Sequence, residues 1–201
     1  MSPRHYEMGR RAGSVAETRA RIVRAAVRLH AERGVQATSW DEIAREAGTN
    51  RATVYRHFGG LDELVPTCAW LAFEAIDQPS PEEMRAQFEG LDLEGRLEKL
   101  IVESCVCYER GADWLRAARR EADLVPALAE SNARIGEGLS RLLDIVLEGH
   151  PLGREQRRAL HALCDYPFWQ QLVDGGIPSG RVPRVITRLA TTLLAGEEES
   201  R

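Results

Sequence analysis

The stretch that decides the fold lies at residues 36–58 and reads QATSWDEIAREAGTNRATVYRHF. Thr38 and Ser39 can each begin a helix, because a side-chain oxygen there accepts a hydrogen bond from an otherwise unpaired backbone N–H. Apolar residues then recur at the spacing of a two-turn helix, namely Trp40, Ile43, Ala44 and Ala47. Gly48 follows, and glycine ends helices because it adopts left-handed backbone at little steric cost. The pattern predicts a short helix that ends at Gly48.

A second short helix is predicted directly after this turn. Asn50 offers another N-cap, and Arg51–His57 leaves room for two helical turns. Val54 and Phe58 supply the apolar side, and the small Ala44 lets the two helices pack closely. Two helices joined by a turn of three or four residues that contains glycine form a helix-turn-helix.

The outward side of the second helix carries groups that suit a DNA groove: Arg51, Ala52, Thr53, Tyr55, Arg56 and His57. Arginine pairs with guanine, threonine and alanine contact the methyl group of thymine, and tyrosine and histidine donate hydrogen bonds to phosphate. No acidic residue occurs between Thr49 and Gly60, so the helix can approach a polyanion. The alternative is an ordinary helical hairpin with a solvated basic face.

A longer helix is predicted upstream. Ser14 and Glu17 have the spacing of a capping box, and Gly34 marks the end of a helix of about 18 residues. Its apolar face consists of Ile22, Val23, Ala26, Val27 and Leu29. A helix of this length can brace the helix-turn-helix from behind.

The first 13 residues are expected to form a flexible basic arm. They include Arg4, Arg10 and Arg11 and precede the capping box. Such an arm can reach into a minor groove of DNA. A plain flexible terminus is the alternative.

Over residues 14–65, the order and spacing of these features resemble the DNA-binding domain of the TetR family of transcriptional regulators. The resemblance extends over three helices and rests on Thr18-Arg-Ala-Arg-Ile22, Ala25-Ala26, Ala31-Glu32-Arg33-Gly34, Thr38-Ser39, Ile43-Ala44, Ala47-Gly48, Thr53-Val54-Tyr55 and His57-Phe58. The remainder of the chain resembles the family in length and helical character only.

The resemblance implies an all-α homodimer with two N-terminal DNA-reading heads and a C-terminal domain for ligand binding and dimerisation. It also implies roles for single residues. The implied base contacts are Arg51, Ala52 and Thr53, and the implied phosphate contacts are Ser39, Tyr55 and His57.

Two positions depart from the family pattern. The family often has a lysine that contacts phosphate at the start of the next helix, where this chain has Leu61, Asp62 and Glu63. Asp41 stands where many relatives have a basic or neutral residue. The departures imply a weaker contact with the DNA backbone, or one that Arg56 and the N-terminal arm supply instead.

Charge is distributed unevenly along the 201 residues. Residues 1–60 contain 11 Arg and no Lys against 6 Asp and Glu, whereas residues 61–201 contain 16 basic and 25 acidic residues. A basic first part and an acidic remainder fit a nucleic-acid-binding domain joined to a domain with another task.

The composition disfavours membrane, secreted and catalytic classes of protein. No apolar stretch is long enough to span a bilayer and no secretory signal pattern opens the chain, so a cytoplasmic location is expected. No hydrolase, metalloprotease or phosphate-loop motif occurs, so we expect no enzyme. Cys105 and Cys107 would point about 200° apart on a helix, which disfavours a shared metal or a disulfide. We expect neither a metal nor a cofactor.

The rest of the chain predicts helices, with no strand and no repeat. The expected spans are 61 to about 76 with Pro66 inside, 80 to about 90, 92 to about 110, 112–122, 125 to about 147, 154 to about 173 and 181–194, then an acidic tail at 196–201. The expected domains are the arm at 1–13, the helix-turn-helix domain at 14–60, and a helical ligand-binding and dimerisation domain at 61–195. We therefore expect an all-α fold, a three-helix head followed by a larger bundle.

Apolar residues in the last two expected helices predict a dimer interface. They are Leu160, Leu163, Phe168, Leu172, Val185, Ile186, Leu189 and Leu193. Two such helices doubled by a two-fold axis form a four-helix interface. The alternative is that these faces close the core of the monomer.

Aromatic residues of the larger domain are the candidates for a ligand pocket between helices. They are Trp70, Phe73, Tyr108, Trp114, Tyr166 and Trp169, with Glu74, Arg119 or His161 as a polar anchor. The alternative for each residue is a place in the core or on the surface.

These features favour a DNA-binding transcriptional regulator, most simply a repressor. Its dimer would bind double-stranded DNA at a pseudo-palindromic operator, and a small-molecule effector would release it. The alternative is a DNA-binding adaptor whose larger domain binds a protein partner and no small ligand.

Overall fold

The computed structural model of the chain describes residues 3–73 and 80–195, apart from the side chains of residues 3–12, 72–73 and 81. In these ranges the regular structure is helical and no strand occurs, which confirms the predicted class. The helices are α1 Pro3–Arg33, α2 Trp40–Glu46, α3 Arg51–His57, α4 Leu61–Phe73, α5 Pro81–Gln87, α6 Leu93–Arg120, α7 Pro126–Val146, α8 Arg154–Cys164, α9 Tyr166–Asp174 and α10 Val182–Ala195. A short 3-10 turn at Ser179–Arg181 precedes α10.

The chain divides into two compact units. One contains residues 1–75 and 113–132, and the other contains residues 76–112 and 133–201. The acidic tail expected at 196–201 and the end of the helix expected to reach residue 76 lie outside the described residues. None of the helices in the described ranges is long and apolar enough to cross a membrane.

The first unit is built around α1, which packs against both α2 and α4. The apolar faces predicted from the spacing of residues are buried together: Ile22, Ala26, Ile43, Val54, Phe58 and Leu64 are each at most 1% exposed. Burial of a large apolar side chain stabilises a fold by roughly 1.5–3 kcal/mol, so this cluster holds the short helices in place.

Helix α1 is longer than the sequence predicts. It begins at Pro3, so residues 3–13, expected to be a flexible arm, form its first turns. Ser14, expected to cap the helix, lies inside it, and its carbonyl oxygen accepts a hydrogen bond from Oγ1 of Thr18 at 2.8 Å. Gly9 and Gly13 both lie inside this helix, and each costs it about 1 kcal/mol relative to alanine.

The turn after α1 is held by an acidic side chain from a distant part of the chain. Gly34 has a φ of +89°, the left-handed backbone predicted for it. A Cβ atom at Gly34 would lie 1.7 Å from Oε1 of Glu121, and Oε2 of Glu121 accepts a hydrogen bond from the backbone N–H of Gln36 at 3.0 Å. The backbone conformation thus favours glycine at this position, and a Cβ there would also displace the Glu121 carboxylate.

Helix α6 runs without a break through Gly111, where the sequence predicts a boundary between two helices. Tyr108 and Leu115, on either side of this glycine, are buried at 6% and 0% exposure. Packing of these side chains outweighs the cost of about 1 kcal/mol for an internal glycine.

In the second unit, the sequence predicts one helix over residues 154–173, but the structure has two helices there. Asp165 separates α8 from α9 with extended backbone (φ −82°, ψ 155°), and its carboxylate accepts a hydrogen bond from the N–H of Tyr166 at 2.8 Å. Pro167 follows in the first turn of α9, a position that proline favours. The sequence Asp165-Tyr-Pro167 is a helix-start signal that the apolar periodicity obscured.

Candidate nucleic-acid interface

Helix α2 begins at a capping box. The hydroxyl oxygen of Ser39 accepts a hydrogen bond from the N–H of Glu42 at 3.2 Å, and the Glu42 carboxylate accepts one from the N–H of Ser39 at 2.9 Å. The hydrogen bond from the backbone N–H of Ser39 to the carboxylate lowers the pKa of Glu42. The cap at Ser39 is confirmed. The role of Glu42 was not predicted, although its position three residues after Ser39 is the spacing of a capping box.

The turn between α2 and α3 has the predicted geometry. Gly48 has a φ of +62°, and the N–H of Thr49 donates to the carbonyl oxygen of Ala44 at 2.9 Å. The carboxamide oxygen of Asn50 then accepts a hydrogen bond from the N–H of Thr53 at 2.8 Å. Helix α3 is thus capped at its start, and the turn sets the angle between α2 and α3.

Helix α3 presents one side to solvent and the other to the core. Val54 and Phe58 are fully buried. Of the residues predicted to contact DNA, those exposed are Ser39, Arg51, Ala52, Tyr55 and Arg56, and those half-buried are Thr53 and His57. The residues proposed to read DNA are therefore within reach of a ligand.

Arg51 lies in a network that crosses from α3 to α2. Its Nη1 donates to the Asp41 carboxylate at 3.1 Å, and its Nη2 donates to the hydroxyl oxygen of Tyr55 at 3.3 Å. The guanidinium carbon lies 5.4 Å from the centre of the Tyr55 ring, and that ring packs on Trp40 with centroids 5.0 Å apart. The hydrogen bond that Arg51 donates to Tyr55, together with the charge of Asp41, raises the pKa of Arg51.

The C-terminal end of α3 is held by Arg19 of α1. The Arg19 guanidinium donates to the carbonyl oxygen of His57 at 3.0 Å and to Oγ1 of Thr67 at 3.3 Å, and it lies 4.1 Å from the centre of the Phe58 ring. Desolvation, aided by the charges of Arg56 and Arg19, lowers the pKa of His57. His57 is therefore a neutral hydrogen-bonding group at pH 7.

The acidic start of α4 also has a structural explanation. The Glu63 carboxylate accepts a hydrogen bond from the N–H of Gly59 at 2.9 Å, which fixes the turn between α3 and α4. Glu63 and Asp62 remain exposed in the first turn of α4, where negative charge stabilises a helix. The residues that depart from the family pattern are thus part of the local framework.

Residues 22–67 match the sequence model of the family described as bacterial regulatory proteins, tetR family. This range contains α2, α3 and their turns.

Residues 22–67 are therefore similar to the tetR family of bacterial regulatory proteins.

Two known regulators match part of the chain. A stretch of 96 residues, 47% of this chain and 44% of the relative, is 38% identical to the HTH-type transcriptional regulator AcrR of Shigella flexneri. A stretch of 49 residues, 24% of this chain and 26% of the relative, is 49% identical to the HTH-type transcriptional repressor Rv3405c of Mycobacterium tuberculosis. The matched stretches thus span less than half of these relatives.

Structural similarity to known proteins extends beyond the matched range. It is similar to the crystal structure of the multidrug binding protein EbrR complexed with imidazole, with a TM-score of 0.58 and 24% identity over 85% of this chain and 88% of that one. At this identity, the likeness shows a shared fold.

The aromatic residues proposed to line a ligand pocket do not form one group. Trp70 is 57% exposed on α4, and Trp114 is buried in the first unit. The side chain of Phe73, and Glu74 as a whole, lie outside the described residues. Of the other polar anchors, Arg119 belongs to the first unit, and a ring nitrogen of His161 lies 3.1 Å from the carbonyl oxygen of Gly136 in the second.

The other three aromatic candidates pack together in the second unit. The rings of Tyr166 and Trp169 stack with centroids 5.7 Å apart, and Tyr108 meets Tyr166 edge-on at 5.6 Å. The hydroxyl of Tyr108 donates to the carbonyl oxygen of Cys164 at 2.8 Å, and that of Tyr166 donates to the carbonyl oxygen of Ala112 at 3.0 Å. These rings form a closed aromatic cluster within the core.

A groove in the second unit offers a different site. It lies between the start of α6 and helix α10 and has a volume of about 460 Å³. Glu94 and Glu98 line one side, and Arg184 and Arg188 line the other. None of the five aromatic candidates with described side chains lines this groove or a second groove between α1 and α2.

The cysteines are held as neutral thiols. Desolvation raises the pKa of Cys68, Cys105 and Cys164 to about 12 and that of Cys107 to about 11. No group of three or more metal-binding side chains occurs among the described residues.

Proposed function

We propose that this protein is a cytoplasmic, sequence-specific DNA-binding transcriptional regulator, a repressor that a small-molecule effector releases from its operator. The observation that carries the proposal is the exposed cationic side of α3, with Arg51 and Arg56 turned to solvent while Val54 and Phe58 anchor the helix. A helix presented in this way fits the major groove of DNA. The names of the similar regulators, AcrR and the repressor Rv3405c, support the same assignment.

The proposal includes a homodimer that reads two half-sites. Of the apolar residues expected at the interface, Leu160 and Ile186 are buried within the chain's own core. Others remain at least partly exposed: Leu163, Phe168, Leu172, Val185, Leu189 and Leu193. A second copy could cover these residues, and the proposal requires the two recognition helices of the dimer to lie about 34 Å apart, one turn of DNA.

The effector would act by preferring one of two arrangements of the dimer. Such coupling typically amounts to about 1–3 kcal/mol, or a change of about 5–150-fold in DNA affinity. The structural neighbour EbrR is a multidrug binding protein by its title, which supports a ligand site in the larger domain. The groove between α6 and α10 carries both acidic and basic side chains, so it suits a polar or dipolar molecule.

DNA binding is tested by measuring the affinity of the full-length protein for the DNA upstream of its own gene and for random duplex. We expect a preference for the first, and an affinity that falls steeply as salt rises because phosphate contacts release counterions. The Arg51→Ala variant should lose discrimination at one or two base positions. Arg141→Ala, which removes an exposed arginine from α7, is the matched control. Equal binding of both duplexes, or affinity independent of salt, would refute the proposal.

A further inference from the structure

Asp41 is an acidic residue that contacts the proposed reading surface directly. It lies in the first turn of α2, and its carboxylate accepts the 3.1 Å hydrogen bond from Nη1 of Arg51. Both side chains are exposed, Asp41 at 63% and Arg51 at 55%. An isolated surface ion pair contributes little to stability, so the pair needs an explanation other than folding.

The orientation of Arg51 is restricted from two directions. Asp41 holds Nη1 from α2, and the hydroxyl of Tyr55 holds Nη2 from the next turn of α3. The Tyr55 ring is itself packed on Trp40, the residue before Asp41. The network therefore links one position of the recognition helix to two adjacent positions of α2.

The remaining donors of Arg51 suffice for a base. A guanidinium has five N–H donors, and the two bonds to Asp41 and Tyr55 leave three. A guanine offers two acceptors in the major groove, O6 and N7, which arginine binds in a bidentate manner. A guanidinium held in place loses less conformational freedom on binding than a free one, which favours the base that matches its geometry.

We propose that Asp41 is a specificity-determining positioning residue, which holds Arg51 in the orientation that selects guanine. This inference rests on the proposed function, because it requires α3 to lie in the major groove. Asp41 also adds a negative charge near the phosphates, so it lowers affinity for DNA of any sequence while it sharpens the choice of base. An acidic residue at a DNA surface thereby increases selectivity at the expense of affinity.

A simpler role for Asp41 would be electrostatic. A carboxylate in the first turn of α2 stabilises that helix, and it repels phosphate whatever the sequence. Its removal would then raise affinity on all duplexes by the same factor. The two roles differ in one measurement, the preference for guanine at the position that Arg51 contacts.

The experiment is an in vitro selection from a duplex library with a randomised core of about 20 base pairs, enough for two half-sites. The full-length wild type, Asp41→Asn and Arg51→Ala are compared, and affinities for the selected duplex and its single-base variants are then measured. Glu46→Gln is the matched control, because Glu46 lies on the same helix, pairs with Arg28 and carries the same charge. Circular dichroism verifies that each variant is helical.

The wild type and Glu46→Gln should select the same guanine in each half-site, and Arg51→Ala should lose it. Asp41→Asn should reduce the preference for that guanine at least about fivefold, the lower end of what a bidentate contact contributes. The same variant should bind random duplex more tightly than the wild type does. Tyr55→Phe, which keeps the ring on Trp40 and removes the hydroxyl, should also reduce the guanine preference.

Two other outcomes would each overturn a different claim. If Asp41→Asn keeps the guanine preference within about twofold while random binding rises, Asp41 acts only as a charge and the inference fails. If the wild type enriches no sequence at all, the proposed function fails first. The wild-type selection therefore separates failure of the DNA-reading assignment from failure of the positioning role.

Discussion

The guanidinium of Arg19 donates a hydrogen bond of 3.0 Å to the carbonyl oxygen of His57, the last residue of the recognition helix α3. The same group lies over the ring of Phe58 at 4.1 Å and reaches Oγ1 of Thr67 on α4. A single side chain of α1 thus joins the end of α3 to the helix that follows it. The position of α3 depends on this contact as well as on its buried apolar side.

Replacement of Arg19 by Met should therefore loosen the recognition helix. The variant keeps an apolar stem but removes both hydrogen bonds, so the free energy of unfolding should fall by about 1–3 kcal/mol. Affinity for all duplexes should fall with it, and the preferred sequence should not change. Denaturant unfolding and DNA titration measure the two effects. Arg24→Met, at an exposed position of the same helix, should change stability little; a similar loss in both variants would contradict the assigned role.

His30 should make the stability of the protein depend on pH. It is 1% exposed, both ring nitrogens lack hydrogen-bond partners among the described residues, and burial lowers its pKa from 6.5 to about 4, although the charge of Glu121 opposes the shift. The unfolded chain binds the proton more tightly than the folded one. The contribution of neutral His30 is thus fully present above pH 6.5 and is lost as pH falls toward about 4.

The loss amounts to about 3.5 kcal/mol at most, by the rule of about 1.4 kcal/mol for each pKa unit. His30→Leu should remove this part of the pH dependence, as measured by urea unfolding at several pH values. The exposed His150, replaced by Gln, serves as the control. A His30→Leu protein that loses stability with acid as steeply as the wild type would show that other groups are responsible.

Comparison of alanine substitutions at Gly34 and Gly149 separates the effect of the contact with Glu121 on stability from the effect of backbone strain. Both have left-handed backbone, with φ of +89° and +84°, but a Cβ at Gly149 meets no atom within 4 Å. Gly149→Ala should lower the free energy of unfolding by about 1 kcal/mol. Gly34→Ala should lower it by at least about 2 kcal/mol, because the new methyl group displaces Glu121 from Gln36.

The double variant Gly34→Ala, Glu121→Ala gives an internal check of this explanation. With the carboxylate gone, the clash at Gly34 disappears. Gly34→Ala should therefore lower the free energy of unfolding much less in the Glu121→Ala protein than in the wild type. Thermal unfolding of the four proteins in the cycle measures this coupling. Strictly additive effects would mean that the two residues do not interact.

His57 should make DNA binding stronger as pH falls. Its pKa is lowered in the free protein by desolvation and by Arg56 and Arg19, whereas a nearby phosphate would raise that pKa in the complex. The complex would then take up a proton that the free protein lacks. Between about pH 7.5 and about pH 5.5, affinity should rise about threefold to tenfold more in the wild type than in His57→Gln. Identical pH profiles would remove His57 from the set of phosphate contacts.

Much of the first unit is predictable from its sequence because its signals are local. The caps at Ser39 and Asn50 and the turn at Gly48 each depend on residues within four positions, and all three are confirmed. The predicted helix boundaries were wrong where a local sequence signal competes with the packing of side chains. Ser14 has the spacing of a cap but lies inside α1, and Gly111 has the propensity of a boundary but lies inside α6.

The candidate site is only partly predictable for the same reason. The residue types of α3 suggested DNA directly, whereas the bonds of Asp41 and Arg19 join residues 10 and 38 positions apart and depend on how helices cross. The aromatic residues of the second unit gave a weaker signal. A core and a ligand pocket favour the same rings, so the sequence could not distinguish the closed cluster around Tyr166 from a binding site.

Helix α3 has only seven residues, fewer than the roughly 12–15 that a peptide needs to remain helical in water. Its helical shape therefore depends mainly on buried side chains, whereas an exposed ion pair such as Arg51–Asp41 contributes little to stability. Mutation can exchange the outer side chains one at a time without unfolding the scaffold. Under the proposed function, substitutions on the exposed side of α3 would change which DNA sequence is bound with little change in stability.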